Sequence, residues 1–341
     1  MPAGKGKKVL VTGGTGFIGS HLVERLLTHG YSVTCLVRDQ SNLRWLKGLP
    51  VTLVSGDCLQ SAFPASLLHD ISIVFHLAGI TKAAAVHDYY RANQEGTKNI
   101  LQACADSGAR LEKFIFVSSL AAAGPGEERK AITIHDPPHP ISDYGKSKLL
   151  AEQETLRYRD VFPVLIFRPS VVYGPRDMDV YELFRWAVRG IMPEISGGDR
   201  YLNFCYVDDL VNALLSGAER STSSGRVYFV AEQKTYTWAD FRTILLQTGN
   251  VRAIPVRIPY SLGYIIGLIS ELAGRVTSQP ALLNRQKIRE AAQRSWVCDS
   301  SPLEKELGFR THYSLPHGLE LTWKWYREHD WLPKETHSIL D

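Results

Sequence analysis

Residues 12–19 read Thr-Gly-Gly-Thr-Gly-Phe-Ile-Gly and directly follow a short run of β-forming residues. The glycines at 13, 16 and 19 have the spacing that allows a tight turn from strand to helix and a close approach of the backbone to a pyrophosphate. The amide groups at the start of the helix then face the anion. This stretch therefore predicts a strand–turn–helix unit that binds a dinucleotide.

Up to residue 231 the chain alternates β-rich runs with helical patterns. Runs of Val, Ile and Phe predict strands at residues 9–12, 32–37, 51–55, 71–77, 114–118, 164–168 and 226–231, and amphipathic patterns predict helices at 17–28, 93–105 and 208–219. Such alternation indicates a parallel sheet that is covered on both faces. We predict an α/β fold, a Rossmann-type doubly wound parallel sheet with a smaller, mostly helical C-terminal substrate lobe.

The predicted domains are not continuous in sequence. Residues 1–175 form the dinucleotide-binding domain, and residues 205–232 rejoin it. Residues 176–204 and 233–341 form the substrate-binding lobe, in which Thr237 and Asp240 have the spacing of a capping box that opens a helix. Because ligands of such sheets bind beyond the carboxyl ends of the strands, we expect the active site in a cleft between these two parts.

Composition argues against several classes of protein. The chain has 341 residues, 44% hydrophobic and 22% charged, which is ordinary for a folded protein, and its formal charge of +4 is too dispersed to predict a nucleic-acid partner. Its five cysteines include no Cys-x-x-Cys pair, so we expect reduced thiols and no metal site. No apolar signal-peptide core follows the first lysines, and we therefore predict a cytoplasmic protein.

The ends of the second and third predicted strands bear on the choice of cofactor. Arg38 follows the second strand, where an arginine pairs with the 2′-phosphate of NADP, whereas a carboxylate there would accept from the ribose of NAD. Asp39 lies one residue further and also reaches a ribose, so the prediction is NADP in preference to NAD. Asp57 follows the third strand and has two interpretations, an acceptor for the adenine amino group or a cap of its own loop.

Tyr144 and Lys148 share one face of a predicted helix because they are four residues apart. A cation beside a phenol favours the phenolate and brings a pKa of about 10 within reach of proton transfer at neutral pH. Ser118 and Ser119 lie at the carboxyl edge of the predicted sheet, where a hydroxyl donates to a substrate carbonyl. These groups predict an enzyme in which Tyr144 moves a proton while a cofactor carries a hydride.

With these motifs in this order, the chain resembles the extended short-chain dehydrogenase/reductase family, also described as NAD-dependent epimerase/dehydratases. The matching residues lie at 12–19, 56–57, 76–79, 93, 96–97, 117–119, 144–148, 168–169, 173–175 and 206–209. The resemblance implies that Tyr144 is the general acid/base, that Lys148 tunes it and binds the nicotinamide ribose, and that Ser119 is the catalytic hydroxyl. It also implies a small-molecule substrate and a homodimer formed through helices that flank the sheet.

The residues predicted to contact the cofactor surround the carboxyl ends of the strands. Asn93 also has an alternative interpretation as the N-cap of its helix. The predicted set is Gly13, Thr15, Gly16, Phe17, Ile18, Gly19, Arg38, Asp57, Cys58, Leu77, Ala78, Gly79, Asn93, Val117, Tyr144, Lys148, Arg168, Pro169 and Val171.

Two positions bear on the class of substrate. Family members that act on nucleotide-linked sugars typically carry an asparagine where this chain has Val171 and an arginine where it has Leu202, although Arg200 is near enough to substitute. A diphosphate needs cationic partners, so this difference favours the branch of dihydroflavonol reductases and 3β-hydroxysteroid dehydrogenases. The residues predicted to face the substrate are Ser119 and, at loop positions where plain surface is the alternative, Thr81, Lys82, Tyr173 and Arg176.

Residues 260–272 form the longest apolar stretch, which glycines, Ser270 and Glu271 interrupt. This stretch is shorter than the roughly 20 apolar residues that span a bilayer. We favour a helix packed within the substrate lobe, and the alternative is a helix that lies on a membrane surface.

Three hypotheses of function follow. The leading one is an NADP-preferring oxidoreductase that interconverts a secondary alcohol and a ketone on a fairly apolar substrate. The second is a nucleotide-sugar epimerase or dehydratase that uses tightly bound NAD. The third is a non-catalytic protein that senses the cofactor, and the presence of Ser119, Tyr144 and Lys148 argues against it.

Overall fold

The computed structural model describes residues 4–60, 65–108, 110–128, 130–277 and 284–333. The strands are β1 (Lys8–Thr12), β2 (Ser32–Val37), β3 (Thr52–Ser55), β4 (Ile73–His76), β5 (Lys113–Val117), β6 (Val164–Pro169), β7 (Val171–Tyr173), β8 (Ile191–Ile195), β9 (Tyr201–Leu202), β10 (Phe204–Tyr206), β11 (Arg226–Val230), β12 (Tyr236–Thr237), β13 (Ile254–Ile258) and β14 (Ser295–Trp296). The α-helices are α1 (Phe17–Thr28), α2 (Ala65–Leu68), α3 (Val86–Tyr89), α4 (Gly96–Asp106), α5 (Leu120–Ala123), α6 (Asp143–Arg157), α7 (Tyr181–Val188), α8 (Val207–Glu219), α9 (Trp238–Gly249), α10 (Tyr260–Thr277), α11 (Arg285–Ala291), α12 (Ser301–Leu307) and α13 (Leu315–Glu328). A π-helix, Tyr90–Glu95, runs directly into α4.

Seven strands form one sheet in the order β11–β6–β5–β4–β1–β2–β3. Every neighbouring pair in this sheet is parallel. Helices α1 and α8 pack on one face, and α4 and α6 pack on the other. The predicted Rossmann-type doubly wound sheet is confirmed. The strand order reverses between β1 and β4, and this is where such sheets form their ligand cleft.

Alternate side chains of the central strands belong to two separate cores. Val9 and Val11 of β1 pack with residues of α1 and α8, whereas Leu10 packs with residues of α4 and α6. All three are fully buried. Strands that are covered on both faces have continuous apolar sequences, and this is why the sequence pattern identified them.

The rest of the chain contains short strands that the sequence did not predict. β8 pairs in parallel with β13, and β9 lies between β12 and β14. An aromatic core fills this part of the molecule, and its buried rings include Phe184, Phe204, Phe241, Trp323 and Tyr326.

Two local predictions have different outcomes. The capping box that opens α9 is confirmed, because the Thr237 hydroxyl accepts from the Asp240 amide at 3.0 Å and the Asp240 carboxylate accepts from the Thr237 amide at 2.8 Å. The helix predicted at residues 93–105 begins instead as the π-helix Tyr90–Glu95. Asn93 lies inside that helix and is therefore not an N-cap. Such π-helical turns are rare and occur frequently at functional sites.

A buried ion pair links β6 to α6. Arg168 donates through Nε and Nη2 to the two carboxylate oxygens of Glu152, at 2.8 and 2.6 Å. The Ser118 hydroxyl donates to the same carboxylate. The two charged side chains are only 6% and 3% exposed. Because the interior offers these charges no water, each depends on the other for its stabilisation.

We predict that Arg168→Met lowers the free energy of unfolding by about 3–5 kcal/mol, because Glu152 is left charged and unpaired in the interior. The double variant Arg168→Met/Glu152→Leu should recover much of this loss, since it leaves no charge in the interior. Denaturant unfolding of the wild type and both variants measures the two differences. A single variant as stable as the wild type would show that the ion pair does not link these elements.

Candidate active site

The glycine-rich loop packs closely against the segment that follows β4. Gly13 has a positive φ of 75°, and a Cβ at this position would lie 2.8 Å from the backbone nitrogen of Ala78. A Cβ at Gly19 would lie 2.1 Å from the carbonyl oxygen of Gly13. Neither position has room for a side chain. The glycine spacing therefore brings α1, the end of β1 and the segment after β4 into contact at the carboxyl edge of the sheet.

The start of α1 has the properties of a phosphate site. Gly16 is the N-cap residue, and it has no side chain that could accept from the amides of the first turn. Gly16 is exposed, and Thr15, Phe17 and Ile18 are partly exposed. The free amides and the positive end of the helix dipole attract an anion. These residues fit the pyrophosphate of a nicotinamide dinucleotide.

A chain of hydrogen bonds runs through the buried side of the loop. The Thr12 hydroxyl accepts from the Ala78 amide at 3.2 Å and pairs with His76 Nδ1 at 2.7 Å. His76 Nε2 pairs with the Thr97 hydroxyl at 2.9 Å, and this hydroxyl donates to the Asn93 carbonyl at 2.6 Å. Since the Thr97 proton points to Asn93, the proton of His76 lies on Nε2. Burial lowers the pKa of His76 to about 3, so the ring is neutral.

Asn93 connects the segment after β4 to α6. Its Oδ1 accepts from the Ile80 amide at 2.8 Å, and its Nδ2 donates to the Ile80 carbonyl at 3.1 Å and to Ser147 Oγ at 2.9 Å. A Cβ at Gly79 would lie 2.7 Å from Asn93 Oδ1 and 4.0 Å from Lys148 Nζ. Asn93 thus sets the position of the segment that includes Leu77, Ala78 and Gly79, beside the ammonium group of Lys148.

The three predicted catalytic side chains converge at the end of β5. Ser119 is the N-cap residue of α5, where its hydroxyl accepts from the Ala121 amide at 3.1 Å, and this hydroxyl is near enough to Tyr144 to lower the pKa of the phenol. Lys148 Nζ donates to the carbonyl of Val117, the last residue of β5, at 2.7 Å. The same nitrogen lies 4.2 Å from the ring centre of Phe116. A proton donor, a hydroxyl and a cation therefore share one small region of the sheet edge.

Burial controls the ionisation of this group. It raises the pKa of the Tyr144 phenol to about 12, while the nearby Ser119 hydroxyl acts in the opposite direction on this pKa. It lowers the pKa of the Lys148 ammonium to about 7, opposed by the nearby charge of Glu152. We expected the pKa of Tyr144 to be lowered, but it is raised, because the loss of hydration on burial has the largest effect on this phenol. At neutral pH the phenol keeps its proton, which is the form that acts as an acid.

Side chains distant in sequence hold the first turn of α6. Gln286 accepts from the Asp143 amide at 2.6 Å and donates to the Asp143 carboxylate at 2.8 Å. Tyr90, in the π-helix, donates to the other oxygen of that carboxylate at 2.8 Å. Because Asp143 precedes Tyr144, these bonds position the phenol. The sequence contains no local signal for the Gln286 contact, which spans 143 residues.

A cavity of about 470 Å³ lies beside this group, and its lining includes Asp143, the neighbour of Tyr144, but not Ser119, Tyr144 or Lys148. The ring centre of Tyr89, in its wall, lies 6.4 Å from that of Tyr144. The volume is within the range of small-molecule sites. One part of the lining is apolar or aromatic, from Ala83, Ala84, Ala85, Val86, Tyr89, Tyr260 and Tyr264, and the other part is polar, from Asp143, Glu271, Asn284, Arg285, Gln286 and Arg289.

Two of the residues predicted to face the substrate lie elsewhere than expected. Tyr173 is in β7 rather than in a loop, and it is 1% exposed among the aromatic rings of the core. Arg176 donates to the Ser20 hydroxyl at 3.1 Å and to the Glu24 carboxylate at 2.7 Å, so its guanidinium is bound to α1. The Tyr173 ring is enclosed and the Arg176 guanidinium is bound to α1, and the contact of either residue with a substrate stays a prediction.

The other two residues predicted to face the substrate are nearer the surface. Thr81 is exposed. The Lys82 ammonium forms an ion pair with Asp179. Both precede the alanines that line the cavity, and their contact with a substrate stays a prediction.

Arg38 and Asp39 lie at the adenosine end of the predicted cofactor site. Arg38 is exposed directly after β2, whereas the carboxylate of Asp39 accepts from the Ser55 hydroxyl. Asp57 accepts from the Leu59 amide at 3.0 Å, which is the loop-capping alternative. A carboxylate has further lone pairs, so this bond leaves the adenine contact a prediction.

The remaining predicted cofactor residues are mostly enclosed. Burial raises the pKa of the Cys58 thiol to about 12. Arg168 is bound to Glu152, and Pro169 is buried at the end of β6. Val171 is partly exposed in β7. The guanidinium of Arg168 thus has a structural role here that the sequence did not reveal.

We predict that Lys148 makes the stability of the protein depend on pH. The pKa of its ammonium is about 7 in the folded protein and 10.5 ordinarily, so the unfolded chain binds more protons between these values. The neutral amine contributes to the free energy of unfolding. This contribution is complete above pH 10.5 and is lost as the pH falls towards 7. Between these values the free energy of unfolding rises with pH by at most about 1.4 kcal/mol per pH unit.

Lys148→Met should flatten the rise of the unfolding free energy with pH across this window, measured by denaturant titration. Lys47→Met, at an exposed position, is the control and should keep the slope of the wild type. Equal slopes in all three proteins would contradict the assignment.

Comparison with known proteins agrees with this geometry. Residues 9–231 match the model of the NAD dependent epimerase/dehydratase family. The chain is 29% identical to the ceramide reductase of Caulobacter vibrioides over 328 residues, with 96% of each chain covered. It is 30% identical over 269 residues to the decarboxylating sterol-4-alpha-carboxylate 3-dehydrogenase of Homo sapiens, covering 74% of this chain and 70% of that protein.

A solved structure has the same fold. The structure of MoeE5 in complex with UDP-glucuronic acid and NAD is 25% identical in sequence to this chain and has a TM-score of 0.76. The match covers 94% of this chain and 99% of the MoeE5 chain. The family match extends over more than half of the sequence. The chain therefore belongs to the NAD dependent epimerase/dehydratase family, and it is a dehydrogenase, reductase or epimerase of the extended short-chain type.

Proposed function

We propose that this enzyme interconverts a secondary alcohol and a ketone on a fairly apolar substrate, with NADP as its preferred cofactor and Tyr144 as general acid/base. The observation that carries the proposal is the convergence of three groups at the end of β5: Ser119 at the start of α5, Tyr144 in the first turn of α6, and Lys148, which donates to the Val117 carbonyl at 2.7 Å. A bound nicotinamide supplies or accepts the hydride.

The side chains perform the proton transfer. In the reducing direction the Ser119 hydroxyl donates to the ketone oxygen and polarises the carbonyl. Tyr144 gives its proton to the same oxygen, and it holds that proton at neutral pH because burial raises its pKa to about 12. The positive charge of Lys148 stabilises the phenolate that remains. In the oxidising direction each group acts in reverse.

The lining of the cavity supports a substrate with an apolar body and a polar end. Its apolar part consists of the alanines at 83–85, Val86 and aromatic rings, and its polar part includes Asn284 and Arg289. Two relatives are named as enzymes of ceramide and of a sterol carboxylate, which have this character.

The residues at the positions that would hold a nucleotide diphosphate also support an apolar substrate. Arg200 donates to the carbonyls of Ser196 and Gly198, at 2.9 and 3.1 Å, and is thereby bound to its own loop. Val171 and Leu202 offer no polar group.

The second candidate function is a nucleotide-sugar epimerase or dehydratase with tightly bound NAD. The similarity to the MoeE5 complex with UDP-glucuronic acid and NAD favours this alternative.

We also propose a homodimer in the cytoplasm. The five cysteines are all free thiols, which a reducing compartment maintains. Helices α4 and α6 lie on one face of the sheet and are the elements through which we expect the two copies to meet.

We predict that Tyr144→Phe lowers kcat for ketone reduction by about 10²–10⁴-fold, because the reaction loses its proton donor. The affinity for NADPH, measured by fluorescence titration, should stay within a few-fold of the wild type. Tyr158→Phe is the control, since its hydroxyl bonds Gln102 away from the site, and it should keep full activity.

Retained turnover by Tyr144→Phe would overturn the assignment of the acid. Turnover of UDP-glucuronic acid in place of ketones would instead favour the epimerase alternative, with Tyr144 in the same role. The two outcomes are distinguishable because the first concerns the residue and the second concerns the substrate.

We predict that Arg38→Ala weakens NADPH binding about 10–100-fold, because the charge-assisted contact with the 2′-phosphate is lost. NADH binding should change little, since NADH has no phosphate at this position. Titration of both cofactors against the wild type, Arg38→Ala and the exposed-site control Lys47→Ala measures the effect. Equal weakening of NADH and NADPH would contradict the proposed preference.

A further inference from the structure

Helix α10 directs its small residues inward. Gly263 and Gly267 are buried, and a Cβ at Gly267 would lie 2.9 Å from the backbone nitrogen of Arg285 at the start of α11. A Cβ at Gly263 would lie 3.2 Å from Cδ1 of Ile195 in β8. The helix therefore packs on the protein through these glycines.

The opposite side of α10 is an exposed apolar surface. We define the outer face of α10 as Leu262, Ile265, Ile266, Ile269 and Leu272, which are between 40% and 60% exposed. Their spacing places them along one stripe of the helix. A surface helix normally buries such a stripe and presents polar residues to water. A contiguous exposed patch of this kind indicates a binding surface.

Positive charge is concentrated in the same segment. Residues 252–294 contain seven arginines and lysines and two glutamates, a formal charge of +5, whereas the whole chain carries +4. The side chain of Arg257 is 77% exposed, although it pairs with Glu194, and Arg289 is also exposed. The segment that exposes the apolar stripe thus carries essentially all of the net charge of the protein.

We propose that the outer face of α10 docks on the surface of an anionic phospholipid membrane. The apolar stripe would enter the boundary between headgroups and acyl chains, and the basic residues would contact the lipid phosphates. In the part of the chain that the structure describes, no helix is long and apolar enough to cross a membrane, so the contact is with one surface.

A second copy of the chain fits this face less well. In a two-fold dimer the same patch meets itself. Two segments that each carry +5 would then face one another, and juxtaposed like charges oppose association. An anionic membrane satisfies both the apolar stripe and the positive charge.

Docking at this face would bring the membrane close to the cavity. Tyr260 and Tyr264 of α10 line the cavity that adjoins Tyr144. A lipid-like substrate would then pass from the bilayer to the active site without crossing water. This consequence rests on the proposed function, whereas the docking itself does not.

Sedimentation of the full chain with vesicles tests the docking. We expect the wild type to bind vesicles of phosphatidylcholine mixed with phosphatidylglycerol, and to bind vesicles of phosphatidylcholine alone at least about tenfold more weakly. The double variant Ile265→Glu/Ile269→Glu should lose at least about tenfold in binding to the anionic vesicles, because it places carboxylates in the stripe. Added salt should weaken the binding of the wild type.

Val161→Glu is the matched control. Val161 is 62% exposed but lies between α6 and β6, so this variant should bind vesicles like the wild type. NADPH binding and Tm should be unchanged in both variants, which separates loss of docking from loss of the fold or of the cofactor site. Failure of the wild type to bind anionic vesicles would overturn the proposal. So would equal binding by the double variant, or a dimer in light scattering that this variant dissociates.

Discussion

The buried side chain of Lys148 holds the candidate active site together. Lys148 donates to the last carbonyl of β5, and this bond fixes α6 against the edge of the sheet where Ser119 begins the next helix. Removing a charge from water costs free energy, which is why the pKa of Lys148 falls to about 7. The same lysine thus anchors α6 and carries the free-energy cost of burying a charge.

Helix α6 presents a polar stripe to the interior. Tyr144, Lys148 and Glu152 follow one another at intervals of four residues and therefore lie along one face. The carboxylate at the far end of the stripe binds Arg168 of β6, so that each charge in the interior has a polar partner. A helix with this arrangement tolerates little rotation, because turning it would detach several partners at once.

The sequence predicted the features that depend on local requirements. The glycines of residues 13–19 and the continuous apolar strands have geometric causes within a few residues, and they identified the fold and predicted a phosphate site at the start of α1. The features that it did not predict depend on distant partners. The π-helix around Asn93 responds to Ile80 and Ser147, and the enclosure of Tyr173 depends on rings from other strands. The stripe of α10 was visible as apolar sequence, but only the packing of its glycines reveals which side is free.

The hydrogen-bond chain through His76 affects how kinetic data on this enzyme should be interpreted. An inflection between pH 6 and 7 is conventionally attributed to an imidazole, whose ordinary pKa is about 6.5. Here both ring nitrogens are engaged with threonine hydroxyls, and the ring remains neutral far below that pH. His76 is thus a spacer between two strands and a helix. A titration observed in that interval would have to be assigned to another group, such as Lys148 or the buried carboxyl of Asp177, whose pKa values are both about 7.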